Sequence, residues 1–249
     1  MSLSNLSRSK ALTEYLNNRQ SVIDLLRSAP SNADQFASSK KRKLANVVYY
    51  SCVVLLSSYL ERYVESLIVE AIDAINNGSP LLQSIPEMLR VAQVKEILYD
   101  LSTTLQKDMT KDNVSQMIQK SQLLLSDCGW FLDDLQPFGR LTGEPLIGEN
   151  RFSNPSPEKI DDLFRHLGII SLVGRVISLE TKPDRGAVRD KVKEMINKRN
   201  NIAHTGGTVT VTEQDVAAYL LYSRRLVRGM DTLVGQEVQK ITGGSWPWT

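Results

Sequence analysis

Two cysteines and two histidines are all that the 249 residues contain, and that scarcity excludes several chemistries. Cys52 and Cys128 cannot build a disulfide framework, and Cys52 sits in an apolar helical run where it reads as a small buried hydrophobe. So few sulfur and imidazole ligands leave no metal-ligand spacing, and neither a metal nor a cofactor is expected. Charge of one sign is also lacking. Thirty Lys and Arg stand against 28 Asp and Glu, a net charge of +2, so any nucleic-acid surface must be local. No apolar run looks fit to span a bilayer. The most apolar stretch, Tyr49 to Leu60, carries serines and runs into Glu61-Arg62. The opening MSLSNLSRSK lacks the apolar centre of a signal peptide. The expectation is a cytoplasmic protein with no membrane partner.

What is present points to helices. Aromatics are only 6%, whereas Leu, Ala, Lys, Glu and Gln are common, and a 41% apolar content suffices for a real core. Apolar residues recur at helical spacing over 5–28, with Pro30 as a stop, and over about 39–76, where Asn77-Gly78-Ser79-Pro80 ends the run. Two more helices are expected at 86–105 and 111–127. From 129 to 154 the chain turns rich in Gly, Pro and Asn and reads as an irregular insertion. Ser156-Pro157-Glu158 opens a helix running to Gly168, a short one follows near 169–178, and another spans about 185–205 with Gly206-Gly207 as its cap. The stretch 208–212 (TVTVT) reads as briefly strand-like. Thr212 to Asp215 has capping-box spacing and opens a last helix to about Lys240. The whole reads as one helical domain over 1–249, with its core bundle at about 39–240 and a mobile tail at 241–249.

The chemistry concentrates in KRNNIAHTGG, residues 198–207. At about 100° per residue, Asn200 and His204 share a helical face, while Arg199 and His204 lie roughly 140° apart and flank it. One helix aims them poorly at a single point; two copies about a dimer axis would make a cleft with both pairs facing inward. RNA cleaves itself when a 2′-hydroxyl attacks the adjacent phosphorus. That needs a base, an acid and stabilisation of the phosphorane charge. Histidine titrates near neutrality and serves as either acid or base. Arginine stays cationic and grips two phosphate oxygens at once.

Arg-Asn, three residues, then His before a Gly pair resembles the signature of the HEPN superfamily. SSYLERYVESLI (57–68) and NPSPEKIDDLFRHLGI (154–169) resemble the two upstream helices of its RiboL-PSP-HEPN branch. The resemblance covers roughly 40–235. It implies an all-α, up-and-down helical bundle with additional helices that forms a homodimer. It also implies metal-independent endoribonuclease activity of the toxin or anti-phage kind, held in check by an antitoxin or another regulatory partner. Carried over by position, Arg199 and His204 are the catalytic pair and Asn200 accompanies them. Glu61, on the long helix, is added as a carboxylate able to pair with Arg199 or orient His204. The alternative is a non-catalytic adaptor on the same bundle, binding RNA, a nucleotide or a protein.

Other features are read more plainly. Lys198, Arg224, Arg225 and Arg228 are candidates for RNA phosphates, whereas the basic run at 39–43 reads as a solvated helix start. His166 is expected to be structural, Tyr59 and Tyr63 to be core, and Trp246 and Trp248 either to dock on a partner or to lie in an untidy terminus. Asp133 and Asp134 lack a third ligand for a metal.

Overall fold

A computed structural model describes residues 7–30, 39–106, 114–132, 139–148, 152–180, 186–205 and 209–248. Nine α-helices lie among them: α1 Lys10–Arg27, α2 Ser39–Gly78, α3 Glu87–Leu105, α4 Val114–Cys128, α5 Glu144–Ile147, α6 Pro157–Phe164, α7 Leu172–Leu179, α8 Ala187–Thr205 and α9 Glu213–Thr242. No strand occurs among the described residues, and the fold is all-α, as expected.

The long α2 is the axis. Its apolar positions at three- and four-residue spacing, among them Cys52, Leu56, Leu60, Tyr63, Leu67 and Ile68, are buried. By length and composition α2 could cross a membrane, contrary to the reading of the sequence. Its apolar stripe is spent instead on the bundle core, where truncating one such leucine costs about 2–5 kcal/mol. α9 runs beside α2 in the same direction. The Tyr63 hydroxyl donates to the Val227 carbonyl at 2.8 Å, and further along Gly78 lies against Thr242 so closely that a Cβ would meet it at 2.5 Å. α1 packs on both helices and runs the other way, since Ser9 meets Asp231 while Arg19 meets Leu220. α8 packs on the same two helices.

Local chemistry sets the ends. Ser9 caps α1, accepting from the Leu12 N–H, and Glu70 of α2 accepts from the N–H groups of Lys10 and Ala11 at 2.9 and 2.7 Å. Ser156 caps α6 with Pro157 in its first turn. Gly168 takes φ 78°, the left-handed conformation that ends the following 3-10 turn. The Thr212–Asp215 capping box forms as the spacing predicts.

Two expectations change. Residues 209–212 form no strand, and two of their carbonyls accept from side chains. Tyr50 donates to Val209 at 2.5 Å and Lys198 donates to Thr210, while Val211 is buried. The end of the chain, expected to be mobile, is packed. Trp248 is 4% exposed and its indole N–H donates to the Asp231 carbonyl at 3.2 Å. Trp246 donates to the Ser7 carbonyl at 2.8 Å. Both indoles need Gly235, where a Cβ would come within 2.6 Å of Trp246. The insertion contains a 3-10 turn at Gly129–Leu132 and the short α5. Asp133, Asp134 and the Gly206-Gly207 cap lie outside the described residues.

Candidate functional site

The last two turns of α8 carry Arg199, Asn200 and His204. Its buried side, Val192, Met195 and Ile196, faces the core and turns the polar residues outward. The Arg199 guanidinium donates to the Asn200 side-chain oxygen at 3.2 Å, so the two are joined within one helix. His204 is exposed on the final turn and makes no hydrogen bond or ion pair with another described residue. Arg199 and His204 thus both stand on α8, five residues apart.

Arg199 opens onto a shallow depression of about 520 Å³ whose other lining is the outer face of α2: Ser58, Glu61, Arg62, Glu65 and Ser66. Glu61 thus lies where the sequence places it, beside Arg199, but neither residue reaches the other within ion-pair distance. Glu61 instead accepts from the Asn154 backbone N–H at 3.4 Å. Asn154 holds a left-handed φ of 62° at the Pro-Ser-Pro turn. Burial, then the neighbouring Glu61, push the Glu65 carboxyl up, and Arg62 works against them. Arg62 is itself paired with Glu14 of α1 at 2.9 Å. The floor beside Arg199 is therefore mixed in charge and includes two carboxylates, of which Glu65 is a member that sequence reasoning missed. Its i, i+4 relation to Glu61 was the available signal.

The four basic residues expected to meet RNA are not one surface. Lys198 is turned to the Thr210 carbonyl. Arg225 pairs with Glu180 at 3.3 Å and lies 5.4 Å from the Tyr222 ring centre, on the α7 side of α9. Arg224 and Arg228 lie on the α1 side, where Arg19 is their neighbour. None of these arginines on α9 joins the depression at Arg199. His166 accepts its expected structural role, with Nδ1 3.1 Å from the Leu163 carbonyl. No group of three or more His, Cys, Asp or Glu able to hold a metal occurs among the described residues.

The RiboL-PSP-HEPN family profile matches residues 13–236. The chain belongs to this family. No curated protein and no solved structure matches it. The match runs from the first turn of α1 into the last turns of α9 and contains the Arg199–His204 segment, Glu61 and the Pro-Ser-Pro turn. HEPN domains are often RNases, which makes nuclease chemistry the first function to weigh for this one. In this HEPN chain the two upstream segments that carry the resemblance touch through Glu61 and Asn154, directly beside the arginine of the third.

Proposed function

We propose that the protein is a metal-independent endoribonuclease whose site forms between two copies of the chain. The observation that carries this reading is the arrangement on α8 within a RiboL-PSP-HEPN domain. Arg199 is tied to Asn200 and opens to solvent, and His204 stands exposed on the same helix end. A second α8 across a two-fold axis supplies the convergence that one helix cannot. One His204 takes the proton from the 2′-hydroxyl and the new O2′–P bond forms. The P–O5′ bond breaks, and the other His204 gives a proton to the leaving O5′, yielding a 2′,3′-cyclic phosphate. Arg199 stabilises the phosphorane oxygens, with Asn200 holding its guanidinium in place. Unrestrained, such cleavage is toxic, which fits a toxin or defence effector controlled by a regulatory partner.

A second reading has one observation in its favour. Glu61 and Glu65 line the same depression as Arg199, and carboxylates repel phosphate. A non-catalytic adaptor would hold a protein or a nucleotide base there.

Incubation of total RNA with the purified chain in EDTA tests the choice, beside Arg199→Ala and His204→Ala. Cleavage leaving cyclic-phosphate ends, lost in both variants, supports the nuclease. Absence of cleavage by the wild-type chain sinks it in favour of the adaptor.

A further inference from the structure

Four arginines gather along the groove where α1 packs on α9, and none of them lines the depression at Arg199. Arg19 donates through Nε to the Leu220 carbonyl at 3.1 Å, which orients its plane and leaves the two terminal nitrogens pointing onward as a fork. Arg224 and Arg228 follow Leu220 by one and two turns along α9. Arg8 precedes Ser9, whose hydroxyl donates to Asp231 and ties the start of α1 to α9. None of the four arginines lies within ion-pair distance of a carboxylate among the described residues. Their mutual repulsion is felt: burial first and then Arg224 lower the Arg19 guanidinium from its ordinary value. Arg228 is lowered by burial and then by Arg224, Arg8 and Arg19. Arg8 acts on the Asp231 carboxylate, whereas Arg19, Arg224 and Arg228 crowd like charges whose repulsion an external anion relieves.

The groove opens at Arg8 into a recess of about 1320 Å³ at the end of the bundle. Arg140 and the half-buried Trp246 line it, and so do the carboxylates Glu70 and Asp73. Glu70 is already occupied by the N–H groups at the start of α1.

We propose that the α1/α9 arginine groove, with the recess at its end, is a binding site for single-stranded nucleic acid. Phosphates lie on Arg19, Arg224, Arg228 and Arg8, and a base stacks on Trp246. Planar guanidiniums one helical turn apart suit successive phosphates, and an indole accepts any base. Arg8 and Trp246 fall outside the stretch matched by the family. The site extends the nuclease reading but stands apart from Arg199, Asn200 and His204.

A short fluorescent 2′-O-methyl oligonucleotide tests it, because such a strand has no 2′-hydroxyl to react and reports binding alone. Fluorescence anisotropy is read across about 50–200 mM salt on the wild-type chain, Arg19→Gln/Arg224→Gln/Arg228→Gln, and Arg8→Gln/Arg228→Gln. The second variant changes only exposed side chains and keeps the test decisive if the first does not fold. Affinity is expected to fall at least about tenfold in the triple variant. Its salt slope is expected to drop by about 2, at about 0.7 per lost phosphate contact. Trp246→Ala weakens binding by about tenfold through lost stacking, while Arg225→Gln binds as the wild type does. Unchanged affinity and slope in the folded arginine variants would overturn the proposal. An equal loss in Arg225→Gln, or binding to phosphatidylserine vesicles without binding to the oligonucleotide, would overturn it too. Failure of the nuclease reading shows separately, as oligonucleotide binding without RNA cleavage.

Discussion

Glu61 on α2 accepts a hydrogen bond from the backbone N–H of Asn154, 3.4 Å away, and so joins the long helix to the Pro-Ser-Pro turn beside Arg199. Glu61→Ala removes that acceptor and is expected to cost about 1 kcal/mol. In a chain of this size that is about 2–4 °C in Tm. Glu61→Gln retains an acceptor and should melt near the wild type, yet it removes a charge that raises Glu65. An NMR titration should find Glu65 ionising at lower pH in Glu61→Gln, and an unmoved Glu65 would contradict the coupling.

Removing Asn200 should act through Arg199. The Asn200 side chain is the hydrogen-bond partner of the guanidinium. Asn200→Ala is expected to lower kcat for RNA cleavage by about tenfold. Loss of a proton-transfer group, as in His204→Ala, costs about a hundredfold or more. Equal losses in the two would assign Asn200 a direct part in the chemistry.

Stability should depend on pH through Asp231. Burial pushes its carboxyl up to about 6, although the Ser9 hydroxyl and N–H pull the other way. The folded chain therefore holds this proton more tightly than the unfolded one, whose Asp titrates near 3.9. The contribution of Asp231 is most favourable below about pH 4 and is lost as pH rises through about 6, an effect of about 3 kcal/mol. Asp231→Asn should match the wild type at pH 4 and be more stable at pH 7, as read by urea unfolding. Glu158 works with the opposite sign. Its own backbone N–H at the start of α6, with Arg189 and Lys193 adding, holds it down to about 2. Its stabilisation is present above about pH 4.5 and fades on acidification. It is common to both chains, so their difference isolates Asp231. A stability gain independent of pH would refute the assignment.

The packed terminus predicts a large effect from a residue near the end of the chain. Trp248 is buried and bonded to Asp231, and Trp248→Ala should cost about 3–5 kcal/mol. Gly235→Ala should reproduce much of that loss, because the added methyl occupies the place of both indoles. Thermal melts that match the wild type in both variants would show that the tail does not hold the bundle.

Much of this was legible before any coordinates. The Thr212–Asp215 box, the Ser156 cap and the apolar stripe of α2 are local signals, each written within a turn or two of the residues it organises. What escaped was decided by distant neighbours. The Trp246 and Trp248 pair has no periodicity of its own, and its partners Ser7, Asp231 and Gly235 belong to other parts of the chain. The TVTVT alternation promised a strand, but the described residues contain no strand edge to pair with it. Arg224, Arg225 and Arg228 looked like one basic face. Only the positions of α1 and α7 on either flank of α9 reveal that Arg225 points one way and the other two another. At the candidate site, the Arg199–Asn200–His204 spacing was legible, whereas the carboxylate floor required knowing which face of α2 lies beside α8.

The hydroxyl of Ser7 donates to the carbonyl of Trp248, so the two ends of the described chain are neighbours. Topologically the bundle is close to a closed ring. A short linker across the junction would permit circular permutants with new ends opened in the exposed turn after α2, around Ser79-Pro80. The junction also lines the recess at the end of the arginine groove.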